Sequence, residues 1–178
     1  MARNVIYWIF AISVLMGGLL LAISLSESVP NAAGVAHPDF PGMQVGGDGA
    51  ARLQYIGNYA FLFQSLLLIL IVCLAILGVA ERYRTPRFMI YMGLSLLFML
   101  FVWWQMYTGH QAFMETGETA YFMGFPVATA WQMYGTWLGA IPLILVYTLG
   151  FEEYIYTPAD EAAFRALLEK HKLPETRD

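Results

Sequence analysis

Charged residues are scarce in this sequence. They make up 12% of its 178 residues, while apolar residues make up 59%. A typical soluble domain has about 25% charged and about 45–50% apolar residues. Several uncharged apolar runs exceed the roughly 18 residues that mark a candidate membrane helix. The composition therefore excludes an ordinary soluble domain and predicts an all-α integral membrane protein.

Cysteine and histidine are also rare. Cys73 is the single cysteine, so the chain by itself can form neither a disulfide framework nor a thiolate metal cluster. The histidines His37, His110 and His171 are not placed as a pair facing across two apolar runs, which argues against a b-type haem. We therefore expect no cofactor.

Catalytic and metal-binding patterns are missing as well. The sequence has no G-x-S-x-G elbow, no H-E-x-x-H pair and no phosphate-binding glycine loop. His37 with Asp39, and His110 with Glu115 and Glu118, offer too few ligands for a metal site, which needs three or four. Asp, Glu, Lys, Arg and His are absent from the centres of the apolar runs, whereas proton-coupled transporters and pumps usually carry them there. We predict a protein that is not an enzyme and has no metal site.

Four apolar runs predict four transmembrane helices. They cover residues 5–25, 55–80, 88–107 and 126–150. The first run is expected to remain as an anchor, because it is longer than a signal-peptide core and no A-x-A site follows it. Residues 26–52 are rich in proline and glycine and should form a long loop over the outer surface. A shorter connection, residues 108–120, should link the third and fourth helices.

The basic residues orient this bundle. With the N-terminus inside, Arg3, the arginines of the loop after the second helix, and the basic residues of the tail are cytoplasmic, and only Arg52 is outside. The positive-inside rule then places both termini in the cytoplasm of a multi-pass protein of the cell membrane. The predicted organisation is a membrane domain, residues 1–156, followed by a cytoplasmic tail, residues 157–178. The net charge of −4 argues against a nucleic-acid partner.

The tail carries the signals of a short amphipathic helix. Thr157 suits the N-cap, Pro158 the first helical position, and Asp160 completes a capping-box-like pattern. Apolar residues then recur at helical spacing at Phe164, Leu167, Leu168 and His171. From residue 157 onward the chain has five acids and four bases. Because this tail has no excess of positive charge, we expect its apolar face to dock on protein rather than on anionic lipid.

The last apolar run contains a G-x-x-x-G pair, Gly135 and Gly139, which allows close approach of another helix backbone. Gln132 and Thr136 lie within one turn of it. These four residues are the predicted interface for helix packing or for a partner. At the cytoplasmic end, we expect a charge clamp between loop arginines and the acids that follow the last helix, namely Arg82, Arg84, Arg87, Glu152 and Glu153.

Neutral polar residues are what remain inside the predicted helices. Gln64, Gln105 and Gln132 provide one glutamine in each of the last three. They either form interhelical hydrogen bonds, which we favour, or share a patch that binds a head group, a quinone or a partner. A related hypothesis is an outer-face site, formed by Trp103, Trp104, Gln105 and His110.

The turn Gly124-Phe125-Pro126, then Gln132, and an apolar helix ending in Val146-Tyr147 resemble the last helix of the small membrane subunits that accompany sodium/solute symporters. Those subunits show the same order of Gly-x-Pro, a polar and aromatic turn with glutamine, an apolar run and a tyrosine near the cytoplasmic end. The resemblance implies a non-catalytic partner that stabilises or regulates a larger transporter.

Three functions are therefore considered. We predict an accessory subunit of a larger membrane complex, foremost a sodium/solute symporter. The first alternative is a subunit of a respiratory or quinone-linked complex, in which the outer-face residues border a quinone. The second alternative is a membrane enzyme that acts on lipid through His110, Glu115 and Glu118 at its outer face.

Overall fold

The computed structural model describes residues 2–30 and 34–172, and it is almost entirely helical. Three of its helices are long and apolar enough to cross a membrane. They are α1 (Ala2–Ser24), α2 (Gly49–Gly78) and α3 (Pro86–Thr116). A 3₁₀ turn, Glu81–Tyr83, joins α2 to α3. These elements agree with the prediction of an all-α membrane protein.

Local signals define where α2 and α3 begin and end. The Asp48 side chain accepts a hydrogen bond from the backbone N–H of Ala51 and caps α2. Thr85 caps α3 in the same way and Pro86 follows it at the first turn. Gly117, with φ of 71°, ends α3 in the left-handed conformation. With 30 and 31 residues, both helices are roughly 45 Å long, which exceeds the about 30 Å of a bilayer core.

The predicted third span, residues 88–107, lies within α3, but the helix is longer than that span. It continues through Gly109 to Thr116, so most of the predicted connection 108–120 is helical. His110 and Glu115 therefore lie on a helix and not in an aqueous loop. Similarly, α2 begins at Gly49 and not at residue 55, so Arg52 is helical.

The fourth predicted span, residues 126–150, is helical but is not one uninterrupted α-helix. It consists of α4 (Val127–Ala130), a wide π-helical turn (Trp131–Gly135) and α5 (Thr136–Leu149). A second π-helical turn, Phe151–Ile155, follows. The backbone stays in the right-handed helical region across the junctions of α4, the first π turn and α5.

Two small hairpins stand at one end of the helices. In the connection between α1 and α2, β1 (Val35–Ala36) pairs with β2 (Gln44–Val45). Before α4, β3 (Tyr121–Phe122) pairs with β4 (Phe125–Pro126). The turn of the second hairpin is Met123-Gly124, and both residues have positive φ, 49° and 84°. That is the backbone of a type I′ turn, whose twist matches the strands it joins.

Neighbouring helices pack in chain order, α1 on α2, α2 on α3, and α3 on α4 and α5. A buried cluster joins the end of α2, the start of α3 and the second π-helical turn. It is formed by Val72, Ile76, Val79, Phe88, Met92 and Tyr154. Val5, at the start of α1, packs against the same cluster. The start of α1 and the end of α5 therefore lie at one end of the bundle. We call this end the tail end and the opposite one the hairpin end.

The predicted tail helix is present as α6 (Pro158–Lys172). The expected cap forms, because the backbone N–H of Asp160 donates to Thr157 Oγ1 (3.3 Å) and the backbone N–H of Thr157 donates to Asp160 Oδ2 (3.1 Å). The predicted stop at Leu173-Pro174 lies outside the described residues.

Candidate functional site

An open cavity lies at the hairpin end, between α2, α3 and the start of the fourth helical segment. Its volume is about 750 Å³, within the roughly 300–1,000 Å³ typical of small-molecule sites. Its wall combines aromatic, amide and small apolar side chains. The lining includes Gln54, Asn58, Phe61, Trp103, Tyr107, His110, Gln111, Glu115, Thr129 and Gln132.

One wall of the cavity is aromatic. The Phe61 ring on α2 lies 5.8 Å from the Trp103 ring at an interplanar angle of 17° and 4.4 Å from the Tyr107 ring. Two hydrogen bonds lock these rings in place. Trp103 Nε1 donates to the carbonyl of Phe61 (3.2 Å), and the Tyr107 hydroxyl donates to Asn58 Oδ1 (2.8 Å). The wall is thus held rigidly across α2 and α3.

The polar groups around this wall are mostly neutral. Gln54, Gln111 and Gln132 contribute side-chain amides to the lining. Each amide offers both a donor and an acceptor, and none makes a hydrogen bond within the described part of the chain. Glu115 is the only charged lining residue, and its side chain is exposed. No lysine or arginine lines the cavity, so its wall contains no permanent positive charge to balance an anionic ligand.

His110 is the unusual member of the lining. Its Nε2 atom is shielded from solvent and has no hydrogen-bond partner among residues 2–30 and 34–172. A buried polar atom without a partner costs about 1–3 kcal/mol, and such atoms in native proteins commonly mark a functional site or a bound molecule. The cavity wall therefore carries an imidazole whose hydrogen-bonding capacity is unused.

The predicted outer-face residues divide into two groups. Trp103 and His110 line the cavity. Trp104 and Gln105 do not; Trp104 is 53% exposed and meets Phe61 only edge-on, at 6.1 Å. Two of the four residues therefore come together, and the other two point elsewhere because successive helical residues are about 100° apart.

The three glutamines do not form one patch. Gln132 lines the cavity, whereas Gln64 and Gln105 do not. Phe61, Asn58 and Tyr107 belong to the cavity and were not predicted from sequence. The density of aromatic and amide residues between positions 54 and 63 is a signal that could have indicated Asn58 and Phe61. No group of three or more metal-ligating side chains occurs in the described ranges.

The G-x-x-x-G pair packs within the chain. Both Gly135 and Gly139 are buried, and a Cβ atom on either would lie near Val102 of α3, at 3.0 and 3.5 Å. The prediction of close helix packing is thus realised by α3, and these two glycines are not free to receive another protein. Thr136 Oγ1 lies 4.0 Å from Met106 Sδ, also on α3.

The predicted charge clamp forms only in part. Arg82 pairs with Asp160 instead of with Glu152 or Glu153. Arg84 Nε donates to the carbonyl of Val79 (2.9 Å) at the end of α2.

The remaining pair of the clamp, Arg87 with Glu153, is separated by 4.0 Å and its side chains are 70% and 56% exposed. Exposed pairs of this kind contribute about 0.2–1 kcal/mol. Asp160 was not predicted as a partner of Arg82, because its carboxylate already had a predicted role in capping α6.

Asp160 is the centre of a polar cluster at the tail end. The Tyr83 hydroxyl donates to Asp160 Oδ2 (2.8 Å) and the Thr157 hydroxyl donates to the same oxygen (2.8 Å). These hydrogen bonds, together with the positive charge of Arg82, hold the pKa of the Asp160 carboxyl below its usual value. We call Arg82, Tyr83, Thr157 and Asp160 the tail cluster. It fixes the start of α6 to the turn between α2 and α3.

Comparison of the chain with protein-family models, with curated proteins and with solved structures found no match. The fold and the cavity define the class: a helical membrane protein with one further short helix, α6, at the tail end and a mixed aromatic and amide cavity at the opposite end.

Proposed function

We propose that this protein is a non-catalytic accessory subunit that stabilises or regulates a larger membrane protein, foremost a sodium/solute symporter. In this proposal the chain crosses the membrane four times, with residues 127–149 as the fourth crossing and both termini in the cytoplasm. The distribution of basic residues supports that orientation. The tail end, which holds both the start of α1 and the end of α5, is then the cytoplasmic end.

A single observation carries the proposal, the uncovered apolar face of α6. Phe164, Leu167 and Leu168 are 53%, 56% and 45% exposed. They lie outside the long apolar helices, on a segment that the tail cluster holds in a defined position. A large apolar face that is fixed in place yet uncovered is typical of a docking surface.

The charge of α6 favours protein over lipid as the occupant of this face. Within α6 the acids are Asp160, Glu161 and Glu169, and the bases are Arg165, Lys170 and Lys172. The helix therefore has no net positive charge, whereas helices that bind anionic membrane surfaces are rich in lysine and arginine. A groove on a larger protein that receives an amphipathic helix matches this pattern.

The test is affinity purification of the tagged native protein in mild detergent, with the proteins in the eluate identified and quantified. Wild type is expected to retain a many-span symporter in stoichiometric amount. Leu167→Glu with Leu168→Glu should abolish that retention, because two carboxylates would enter an apolar contact.

The matched control adds the same two charges elsewhere on α6. Ala162→Glu with Ala166→Glu places them on the opposite face, where both alanines are exposed, and should leave retention unchanged. Equal retention by wild type and by the Leu167/Leu168 variant would contradict the proposed docking surface. A coloured eluate rich in cytochromes would instead favour the quinone-linked complex.

A further inference from the structure

The cavity at the hairpin end has a chemical character that an accessory role does not require. We propose that it binds a neutral amphiphile with a planar, oxygen-bearing ring, of the quinone or quinol class. The site is separate from the proposed docking surface, because none of its residues belongs to α6 or to the tail cluster. It can therefore be tested on the purified chain without a partner.

The aromatic wall provides the surface for a ring. Phe61, Trp103 and Tyr107 present rings that are already ordered by mutual stacking and by two hydrogen bonds. Planar rings pack against such a surface at centroid separations of about 4.5–7 Å. Because the wall is ordered before binding, a ligand ring loses little affinity to side-chain ordering.

The polar groups provide neutral partners for ring oxygens. The amides of Gln54, Gln111 and Gln132 and the imidazole of His110 can each donate to a quinone carbonyl or accept from a quinol hydroxyl. His110 is the group with the most to gain, since its Nε2 is shielded and unpartnered within the described ranges. A ring oxygen brought next to this side chain would satisfy it after a small rotation of the imidazole.

The charges of the lining exclude one broad class of ligand and disfavour another. No lysine or arginine lines the cavity, so phosphate and carboxylate groups, including those of anionic phospholipids, would be bound without a permanently charged partner. A cation would have Glu115 alone, and that carboxylate is exposed and hydrated. The neutral amides outnumber it, which is why we infer an uncharged ligand.

The cavity volume is large enough for a ring together with part of its alkyl chain. At about 750 Å³ the cavity is larger than a single ring needs. The apolar lining residues, which include Leu53, Met106 and Met114, offer space for the first carbons of an alkyl chain.

The experiment uses decylubiquinone as the probe and the purified chain in lipid nanodiscs. Quinones quench tryptophan fluorescence at short range, so binding at the proposed place should give saturable quenching. Trp103→Phe should remove most of the quenched signal, because Trp103 lines the cavity. Trp104→Phe, one residue further along α3 and outside the lining, should leave the quenching in place.

A second pair of variants tests the polar contacts. Gln132→Leu should weaken decylubiquinone binding about five- to tenfold, as expected for the loss of one hydrogen bond. His110→Phe should have an effect of similar size while keeping a ring of comparable shape. Gln105→Leu is the matched control, since Gln105 is a glutamine of α3 that does not line the cavity, and it should bind the probe as wild type does.

Several results would overturn the inference. Quenching that never saturates, or an equal loss of affinity in Gln105→Leu and Gln132→Leu, would mean that the probe only partitions into the lipid. Displacement of the probe by n-decanol would show that the cavity binds only the alkyl chain of the probe. Tighter binding of dodecyltrimethylammonium than of decylubiquinone would assign the cavity to a cation. The affinity-purification result for α6 affects none of these outcomes.

Discussion

The two ends of the helix bundle are built differently. At the tail end, four segments meet around Phe88 and Met92, which are 1% and 0% exposed, and the tail cluster adds hydrogen bonds and an ion pair. At the hairpin end, an open cavity lies between α2, α3 and the start of the fourth helical segment. One end of the protein is packed for stability, and the other leaves space for binding.

This contrast has a physical cause. Inside a membrane, helices are held together by close packing and hydrogen bonds, because lipid is as apolar as the side chains. Packing at the tail end is achieved with interlocking side chains from all four parts of the bundle. Because α2 and α3 are both longer than the about 30 Å of a bilayer core, polar and aromatic residues at their ends need not have the cost that they would have at the centre.

The largest effect on stability is expected from truncating a side chain at the tail end. Phe88→Ala would remove a ring that is 1% exposed and lies 5.1 Å from the ring of Tyr154. We expect a loss of about 3 kcal/mol in the free energy of unfolding, measured in bicelles. Phe61→Ala at the cavity should cost less than half of that, since it enlarges a space that already exists. Equal losses would show that the two ends are packed alike.

A smaller effect is expected from adding one methyl group to a glycine of a helical segment next to α3. In Gly135→Ala the new Cβ would lie 2.6 Å from the Trp131 ring and 3.0 Å from Val102 Cγ1. We expect a destabilisation of about 1–3 kcal/mol by overpacking.

The matched change on the cavity side is Gly57→Ala, where no atom lies within 4 Å of the added Cβ. It should be neutral, or stabilising by up to about 1 kcal/mol through helix propensity. The same bicelle unfolding measurement compares both variants. A clear loss of stability in Gly57→Ala would mean that the cavity is closed in solution.

The smallest effect on the bundle is expected from the tail cluster, which orders α6 alone. Asp160→Asn should release α6, because the ion pair with Arg82 is lost and the hydrogen bonds from Tyr83 and Thr157 lose a charged acceptor. The measurement is the distribution of distances between spin labels at positions 80 and 166, which should broaden. Glu161→Gln, which removes only a pair with Arg165 within α6, is the control and should leave the distribution narrow.

The same distance measurement gives a pH dependence for wild type. The pKa of Asp160 is lowered in the folded state, so its stabilisation is complete above the unfolded-state pKa of about 3.9 and is lost as pH falls through the lower folded value. The distribution should therefore stay narrow at pH 5 and broaden only in stronger acid, below about pH 4. Broadening between pH 7 and pH 5 would contradict the assignment to Asp160.

Features that depend on composition and on neighbouring residues were predictable from sequence. The apolar runs required helices, because a backbone in lipid must satisfy its own hydrogen bonds. The start of α6 followed from Thr157, Pro158 and Asp160, which interact within a few residues of one another. The predicted third span is shorter than α3 because six of the last nine residues of α3 are polar or glycine, and this composition alone does not end a helix without a stop such as Gly117.

Features that join distant parts of the chain were decided by the tertiary structure. The sequence offers several acids as partners for Arg82. Only the packing of α6 against the turn before α3 brings Arg82 to Asp160, which is 78 residues away. Likewise, the contact of Phe61 with Tyr107 and the pairing of Gly135 with Val102 depend on how each helix is rotated about its axis. Periodicity defines which residues share a helix face, but the neighbour of that face follows only when all the helices pack together.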